Sequence, residues 1–433
     1  MRERRGIFVN SDNTKSVSFR KIFVVAGLSW VFDAMDVGII SFIAAALIGE
    51  WNLTPQEAGW IGSVNAIGML IGAIVAGSLA DRIGRNKVLM YTVLLFSVMS
   101  GLAALSTTLA VFLVFRFFIG LGLGGELPVA STLVSEHVPA HKRGRMVVLL
   151  ESFWAVGWIL SAVIAYFIMP IWGWRSALII GALPAILAIY MRWGLPDSPA
   201  FHKRDKQKTS VWKNMKSLWA PKYARSTAML WILWLFVMFS YHGMFLWLPS
   251  MMVMKGFTLI KSFGYVLLMT LTQLPGFFSA AWLVEKVGRK FVLITYLIFA
   301  AVSAFFFGTA DSLSVLIASG MALSFFYLGV TGTTYAYTTD HYESDIRATG
   351  AGMANAAGRV GAIAGPLVVG YMIAANVSFT AIFGMFFAAC MLAALNVLIL
   401  GKETRVPAPV LETPETEEEG NQEKENVPVN NFM

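Results

Sequence analysis

The chain has 433 residues, of which 57% are apolar and 13% fully charged, with a net charge of +8 and one cysteine. That charged share is about half the one found in ordinary soluble proteins, which excludes a soluble enzyme, a disordered chain, a fibrous repeat and a secreted disulfide scaffold. Twelve membrane-spanning helices of about 20 residues need roughly 240 apolar positions, and 57% of 433 supplies roughly 247.

Long apolar runs predict spans near 21–49, 56–80, 88–107, 109–135, 146–170 and 176–194, then near 225–251, 263–284, 290–309, 312–338, 348–373 and 378–400. The expected class is an all-α integral membrane protein. The first run is too long for a signal-peptide core and no small-residue cleavage pattern follows it, so it is expected to be retained. Residues 1–20 are basic, as are the loops after the second, fourth and sixth spans. Of the 33 basic residues, Arg175, Lys255 and Lys261 lie in loops of the other side and Arg116 and Arg359 inside spans, which leaves 28 on one side. The positive-inside rule then places both termini in the cytoplasm. The basic balance is thereby explained by topology and anionic-lipid contact, with no need of nucleic acid.

Each ionisable residue inside a span needs a reason, because it costs about 2.5–3.5 kcal/mol at the centre. In the first span Asp33 and Asp36 stand three apart, on one face of a helix. Arg116 in the fourth is their natural partner, through Asp36, Asp33 or both. Such a pair either ties two helices together permanently or parts when an aspartate takes up a proton. Two carboxylates against one arginine leave a negative charge unmatched, which favours proton coupling. Glu126 lies ten residues past Arg116, about 15 Å closer to the cytoplasm. It and Glu151 of the fifth span are candidates for proton movement, for contact with a ring nitrogen, or for a gate salt bridge.

Trp154 in the fifth span, Tyr241, His242 and Trp247 in the seventh, Gln273 in the eighth and Tyr327 in the tenth offer stacking faces and hydrogen-bond partners to a planar heteroaromatic ring. Trp and Tyr are also ordinary at membrane interfaces, where Trp247 fits best. Histidine is rare in spans, which singles out His242. In the eleventh span, Asn355 and Arg359 lie in a Gly-rich stretch, with no acidic residue at the depth of Arg359 in the second half. A guanidinium there either grips a substrate carboxylate through two parallel hydrogen bonds or caps loose carbonyls. Five histidines and the lone Cys390 show no metal spacing, so no metal and no cofactor is expected. Residues 402–433 form an acidic, polar segment, expected to be a solvated disordered tail.

A repeat organises the chain. Gly77-Ser-Leu-Ala-Asp81-Arg82-Ile-Gly84-Arg85 follows the second span, and Ala281-Trp-Leu-Val-Glu285-Lys286-Val-Gly288-Arg289 the eighth. Asp81 and Glu285, Gly84 and Gly288, and Arg85 and Arg289 each differ by 204. Glu136 and Arg143 recur at the same offset as Asp340 and Arg347. One offset without insertion predicts two six-helix halves, 21–194 and 225–401, joined by a cytoplasmic loop 195–224. Parallel repeats of this kind place a substrate site at their interface, near mid-membrane. The repeated motifs are expected to act as a cytoplasmic gate, holding the halves together in one state and parting in the other.

On these motifs the chain resembles the major facilitator superfamily over its whole helical length. Arg116-x-x-x-Gly120, Gly173-Trp174-Arg175 and Pro196-Asp-Ser-Pro199 are similar to the sugar-porter branch. Phe32-Asp33-Ala-Met-Asp36, Gly125-Glu126-Leu-Pro128 and Leu150-Glu151-Ser-Phe-Trp154 resemble the bacterial niacin transporter family. The resemblance implies a monomeric secondary transporter of the bacterial inner membrane, not an enzyme, that takes up nicotinate with protons by alternating access. In proton-coupled sugar-porter relatives a first-span Asp and a fourth-span Arg carry the coupling, and Asp36 and Arg116 match them. Glu151 stands where sugar porters have a glutamine, and their paired seventh-span glutamines are missing, which argues against a sugar. The rival readings are transport of another small aromatic or aliphatic carboxylate, and a transceptor that senses the nutrient without carrying it.

Overall fold

The computed structural model describes residues 19–136, 143–186 and 215–404; side chains at some positions within these ranges, 126–136 and 143–151 among them, lie outside the description. The described residues form helices and turns, with no strand among them. The first set comprises α1 (Phe19–Glu50), α2 (Pro55–Ile83), α3 (Arg85–Ala103), α4 (Leu109–Glu136) and α5 (Arg143–Val163), then a π-helical turn Ile164–Ile168 and α6 (Met169–Ile180). The second set comprises α7 (Ala224–Met254), α8 (Leu259–Leu271), α9 (Gln273–Val287), α10 (Arg289–Thr309), α11 (Leu313–Asp340), α12 (Ser344–Ala374) and α13 (Phe379–Leu400). Among the described residues nine helical runs are long and apolar enough to cross a membrane, and Lys87–Ala103 and Leu109–Gly125 are shorter apolar helices.

Two spans carry breaks, one in the gap expected between the fifth and sixth spans and one inside the expected eighth. The fifth and sixth spans form one apolar stretch, Ser152–Ile186, whose direction breaks at Gly173 (φ 73°, ψ 172°). The eighth span is two helices meeting at Thr272, whose hydroxyl has two carbonyl acceptors for its one hydrogen, Met269 O at 2.7 Å and Met321 O of α11 at 2.8 Å. Apolarity does not register the break at Thr272, because it sits inside continuous hydrophobic sequence. Residues 187–194 of the expected sixth span, the central loop up to 214 and the tail from 405 lie outside the described residues.

The 204-residue offset is carried into the backbone. Thr54 caps α2 and Thr258 caps α8, accepting from the N–H of Glu57 at 3.3 Å and of Lys261 at 3.4 Å. Glu57 returns a bond from Thr54 N at 2.9 Å, and Pro55 occupies the first turn, which completes a capping box. The same offset relates Ile83 and Val287, where α2 and α9 end. Gly84 and Gly288 follow, both at φ 99°, with ψ 148° and 160°. Only glycine occupies that region without strain. Gly288→Ala is therefore expected to cost about 1–3 kcal/mol, measured as a lower Tm of the purified protein; an unchanged Tm would show that the turn relaxes freely.

Packing repeats as well. α2 and α3 lie against α4, and α1 against α5; likewise α9 and α10 lie against α11, and α7 against α12. The two sets meet along α2–α12, α1–α7 and α5–α8. Gly84 and Gly288 mark one end of the bundle, called here the basic end, and Thr54 and Thr258 the far end. Toward the far end a Cβ on Gly59 would come within 2.9 Å of Pro366 O. Ser63 Oγ donates to Ile363 O at 2.7 Å, and Trp247 Nε1 to Pro366 O at 3.0 Å. Trp247 is thus a buried tie between helices (2% exposed), not a member of an interfacial belt. Phe42 meets Phe263 edge-on with centroids 5.2 Å apart. The Gly173-Trp174-Arg175 motif fastens the same end: Trp174 Nε1 donates to Glu50 at 2.8 Å and Arg175 to Glu50 at 3.3 Å and to Ser106 O at 3.2 Å.

Candidate functional site

α1 brings Asp33 and Asp36 to the centre of the bundle, and the structure gives them different surroundings. Arg116 of α4 donates through Nη1 and Nη2 to the two oxygens of Asp36, at 3.2 and 3.0 Å. Arg116 is 0% and Asp36 2% exposed, so this forked pair is sealed from solvent. Asp33 has no share in it. It is 1% exposed, and neither of its oxygens has a hydrogen-bond partner. Residues three apart sit about 60° apart around a helix, enough to turn one carboxylate toward α4 and the other toward the interface of the two sets.

Asp33 lines a cavity at that interface. Trp30, Trp154, Tyr241, His242 and Arg359 line it too. Trp154 Nε1 donates to the Tyr241 hydroxyl at 2.8 Å, so these side chains form one joined wall across the boundary between the sets. A planar ring has no room between them and has to lie against the wall. Trp30 is tilted against Trp154, centroids 5.3 Å apart, and its indole N–H has no partner. Tyr327, expected at the site, stands behind the wall instead: it is fully buried, donates to Val237 O at 2.8 Å and packs on Tyr241 at 5.8 Å.

Arg359 enters from α12. Its Nη1 lies 3.3 Å from Met69 Sδ of α2, a weak acceptor, and no carboxylate among the described residues bonds to it. His242 lines this cavity and also a second, smaller one toward the far end, together with Asn65 and Met69. Two other expected contacts lie off the cavity. Asn355 donates to the Tyr335 hydroxyl at 3.2 Å, and it is Tyr335 that lines the site. Gln273 is fully buried at the start of α9, with both amide atoms unpartnered. The side chains of Glu126 and Glu151 lie outside the described residues. Among the described residues no cluster of three or more His, Cys, Asp or Glu could hold a metal ion, and Cys390 is buried and free.

The profile of the Major Facilitator Superfamily matches residues 26–281 and 263–431. The chain belongs to that superfamily. It is a multi-pass membrane transporter and not an enzyme. Over 389 residues it is 60% identical to the proposed niacin/nicotinamide transporter NiaP of Bacillus subtilis (strain 168), covering 90% of this chain and 97% of that one. It is 45% identical over 411 residues to the niacin transporter NiaP of Acinetobacter baylyi, covering 88% and 93%. The inward open conformation of the xylose transporter XylE from E. coli has the same fold, with a TM-score of 0.75 over 90% of this chain and 98% of that one at 19% identity.

In this transporter the second copy of the repeated motif is tied within its own set. Arg289 pairs with Asp340, Arg347 Nε donates to Tyr342 O at 3.2 Å, and Glu285 is exposed. Glu403 accepts from the backbone N–H of Arg289 at 2.9 Å and of Lys290 at 3.3 Å, capping α10, while Tyr337 donates to Lys402 O at 2.8 Å. The first residues after α13 are thus seated on the fold. Lys222 and Glu343 form an exposed pair, and the hydrogen bond from Lys222 holds the Glu343 carboxyl below the usual carboxylate range. These contacts lie within the second set. In the first copy, the side chains of Asp81, Arg82, Arg85, Glu136 and Arg143, and the surroundings of Gly77, lie outside the described residues.

Sequence reasoning missed Trp30, Met69 and Tyr335. Trp30 had a signal, since it stands three residues before Asp33 on the same helical face. Met69 had none, because a methionine in an apolar span looks the same whether it faces lipid or a guanidinium.

Proposed function

We propose that this transporter takes up nicotinate, or a close pyridine carboxylate, with protons, by rocking the halves 21–194 and 225–401 about the central cavity. The observation that carries the reading is Arg359: a cation with a thioether for partner, set in an aromatic cavity. A substrate carboxylate outcompetes Met69 for the guanidinium, since charge-assisted forked bonds are far stronger than a bond to sulfur. The ring then lies against the Trp154–Tyr241 wall. The niacin-transporter names of two relatives covering nearly the whole chain support the same substrate.

Coupling is assigned to Asp36 and Arg116. A proton on Asp36 cancels its charge and releases Arg116, which loosens α1 from α4. Close packing of α2 against α12 at the far end supports reading this state as inward-facing, with the basic end and both termini in the cytoplasm of a bacterial cell. The motif residues at that end would then close the gate in the opposite state.

Uptake of radiolabelled nicotinate into proteoliposomes, with and without an inward proton gradient, tests the whole reading. The expected result is gradient-dependent accumulation that excess benzoate barely reduces. No nicotinate uptake under any gradient would remove this substrate and leave the fold standing.

A further inference from the structure

A buried carboxyl and a half-buried guanidinium at the cavity have hydrogen-bonding capacity that the protein does not use. Both oxygens of Asp33 lack a partner although the residue is 1% exposed and faces the cavity. Arg359, which lines the same cavity, has Met69 Sδ in place of an anion. The two are close enough for the charge of Arg359 to act on Asp33, yet no bond joins them. Buried polar groups are as a rule bonded, and each exception asks for an explanation. An internal Asp33–Arg359 ion pair would have satisfied both. A site that keeps a cation and a carboxyl apart inside one cavity is complementary to a ligand with an acceptor at one end and a donor, or a protonated nitrogen, at the other.

We infer that Asp33 reads the ring nitrogen of the substrate, sharing one proton with it while Arg359 takes the carboxylate. The inference rests on the nicotinate reading and adds to it the residue that separates a pyridine acid from its carbocyclic analogue. The shared proton serves either way: a carboxylic acid donates O–H to the pyridine nitrogen, or a carboxylate accepts N–H from the pyridinium. Benzoate has no atom to meet Asp33 and leaves that group unpaired, the case in which polar sites discriminate most strongly. The charged and titratable groups around Asp33 are consistent with this division. Asp36 on its own helix is held by Arg116 of α4, Arg359 comes from α12, and His242 of α7 also lines the cavity. The wall from Trp154 to Tyr241 supplies a face for the ring between the two ends.

The test is calorimetric titration of the purified full-length transporter with nicotinate and with benzoate, in wild type, Asp33→Ala and Asp33→Asn. Asp33→Ala removes a buried group with no partner, so the fold is expected to tolerate it. In wild type, nicotinate binds more tightly than benzoate. In Asp33→Ala, nicotinate weakens by about 10–100-fold, to the level of benzoate, while benzoate is unchanged. Asp33→Asn, which keeps an N–H donor for the ring nitrogen, retains part of the preference. A nicotinate-to-benzoate ratio in Asp33→Ala equal to that of wild type overturns the inference, whatever the absolute affinities. Absence of nicotinate binding and uptake in wild type overturns the substrate reading itself, and this inference with it. Because equilibrium binding is read, a role of Asp33 confined to proton coupling would leave the ratio unmoved.

Discussion

Replacing Asp36 by asparagine is expected to abolish accumulation of nicotinate against a gradient while leaving counterflow in place. Asparagine accepts hydrogen bonds but cannot gain or lose the charge that binds and releases Arg116. The same change has a second cost. Arg116 is fully buried, and both of its terminal nitrogens bond to Asp36. Breaking a buried pair from one side leaves an uncompensated charge, worth about 3–5 kcal/mol of stability. Neutralising both partners, in Asp36→Asn with Arg116→Gln, should recover most of that loss without restoring uphill transport. Thermal unfolding in detergent and proteoliposome uptake separate the two effects. Uphill transport by the single variant would remove the pair from coupling. Loss of counterflow in the stable double variant would make the pair a structural tie only.

The other large effect is expected at Arg359. Arg359→Gln should weaken nicotinate by about 2–4 kcal/mol, or ~30–1,000-fold, and weaken nicotinamide, which has no carboxylate, much less. Arg359→Lys keeps the charge and loses the planar fork, so its affinity should fall between the two. Met69→Leu removes only the thioether beside Arg359 and should leave nicotinate affinity within a few-fold. Binding titrations with acid and amide in parallel decide the matter. Equal losses for both ligands would assign Arg359 to the packing of α12 and not to the substrate.

Much of this architecture is legible in one sequence because the bilayer is a severe filter. Every charge in a span has to be justified energetically, so Arg116 and Arg359 stand out at once, and the first-span carboxylates are the natural partners of Arg116. The duplication is legible for a different reason. Gly84 and Gly288 keep the 204-residue offset because both backbones turn at φ 99°, a conformation that leaves no choice of residue. The aromatic wall was half legible. Trp154 and Tyr241 are visible as aromatics in central spans, but not as directly bonded side chains that close the gap between them.

Composition, span number, repeat and the identity of the buried charges were thus determined by sequence alone, because each depends on residue type and spacing along one chain. Tertiary structure alone decided that Arg116 takes Asp36 and leaves Asp33 to the cavity. It alone placed Tyr327 behind the wall, Gln273 away from the cavity, and Trp247 at a backbone carbonyl of α12. Helical spacing gives the angle between two side chains, but not the rotation of the helix about its own axis. That rotation is set by packing against neighbours distant in sequence, and a difference of about 60° separates the carboxylate held by Arg116 from the one that lines the cavity.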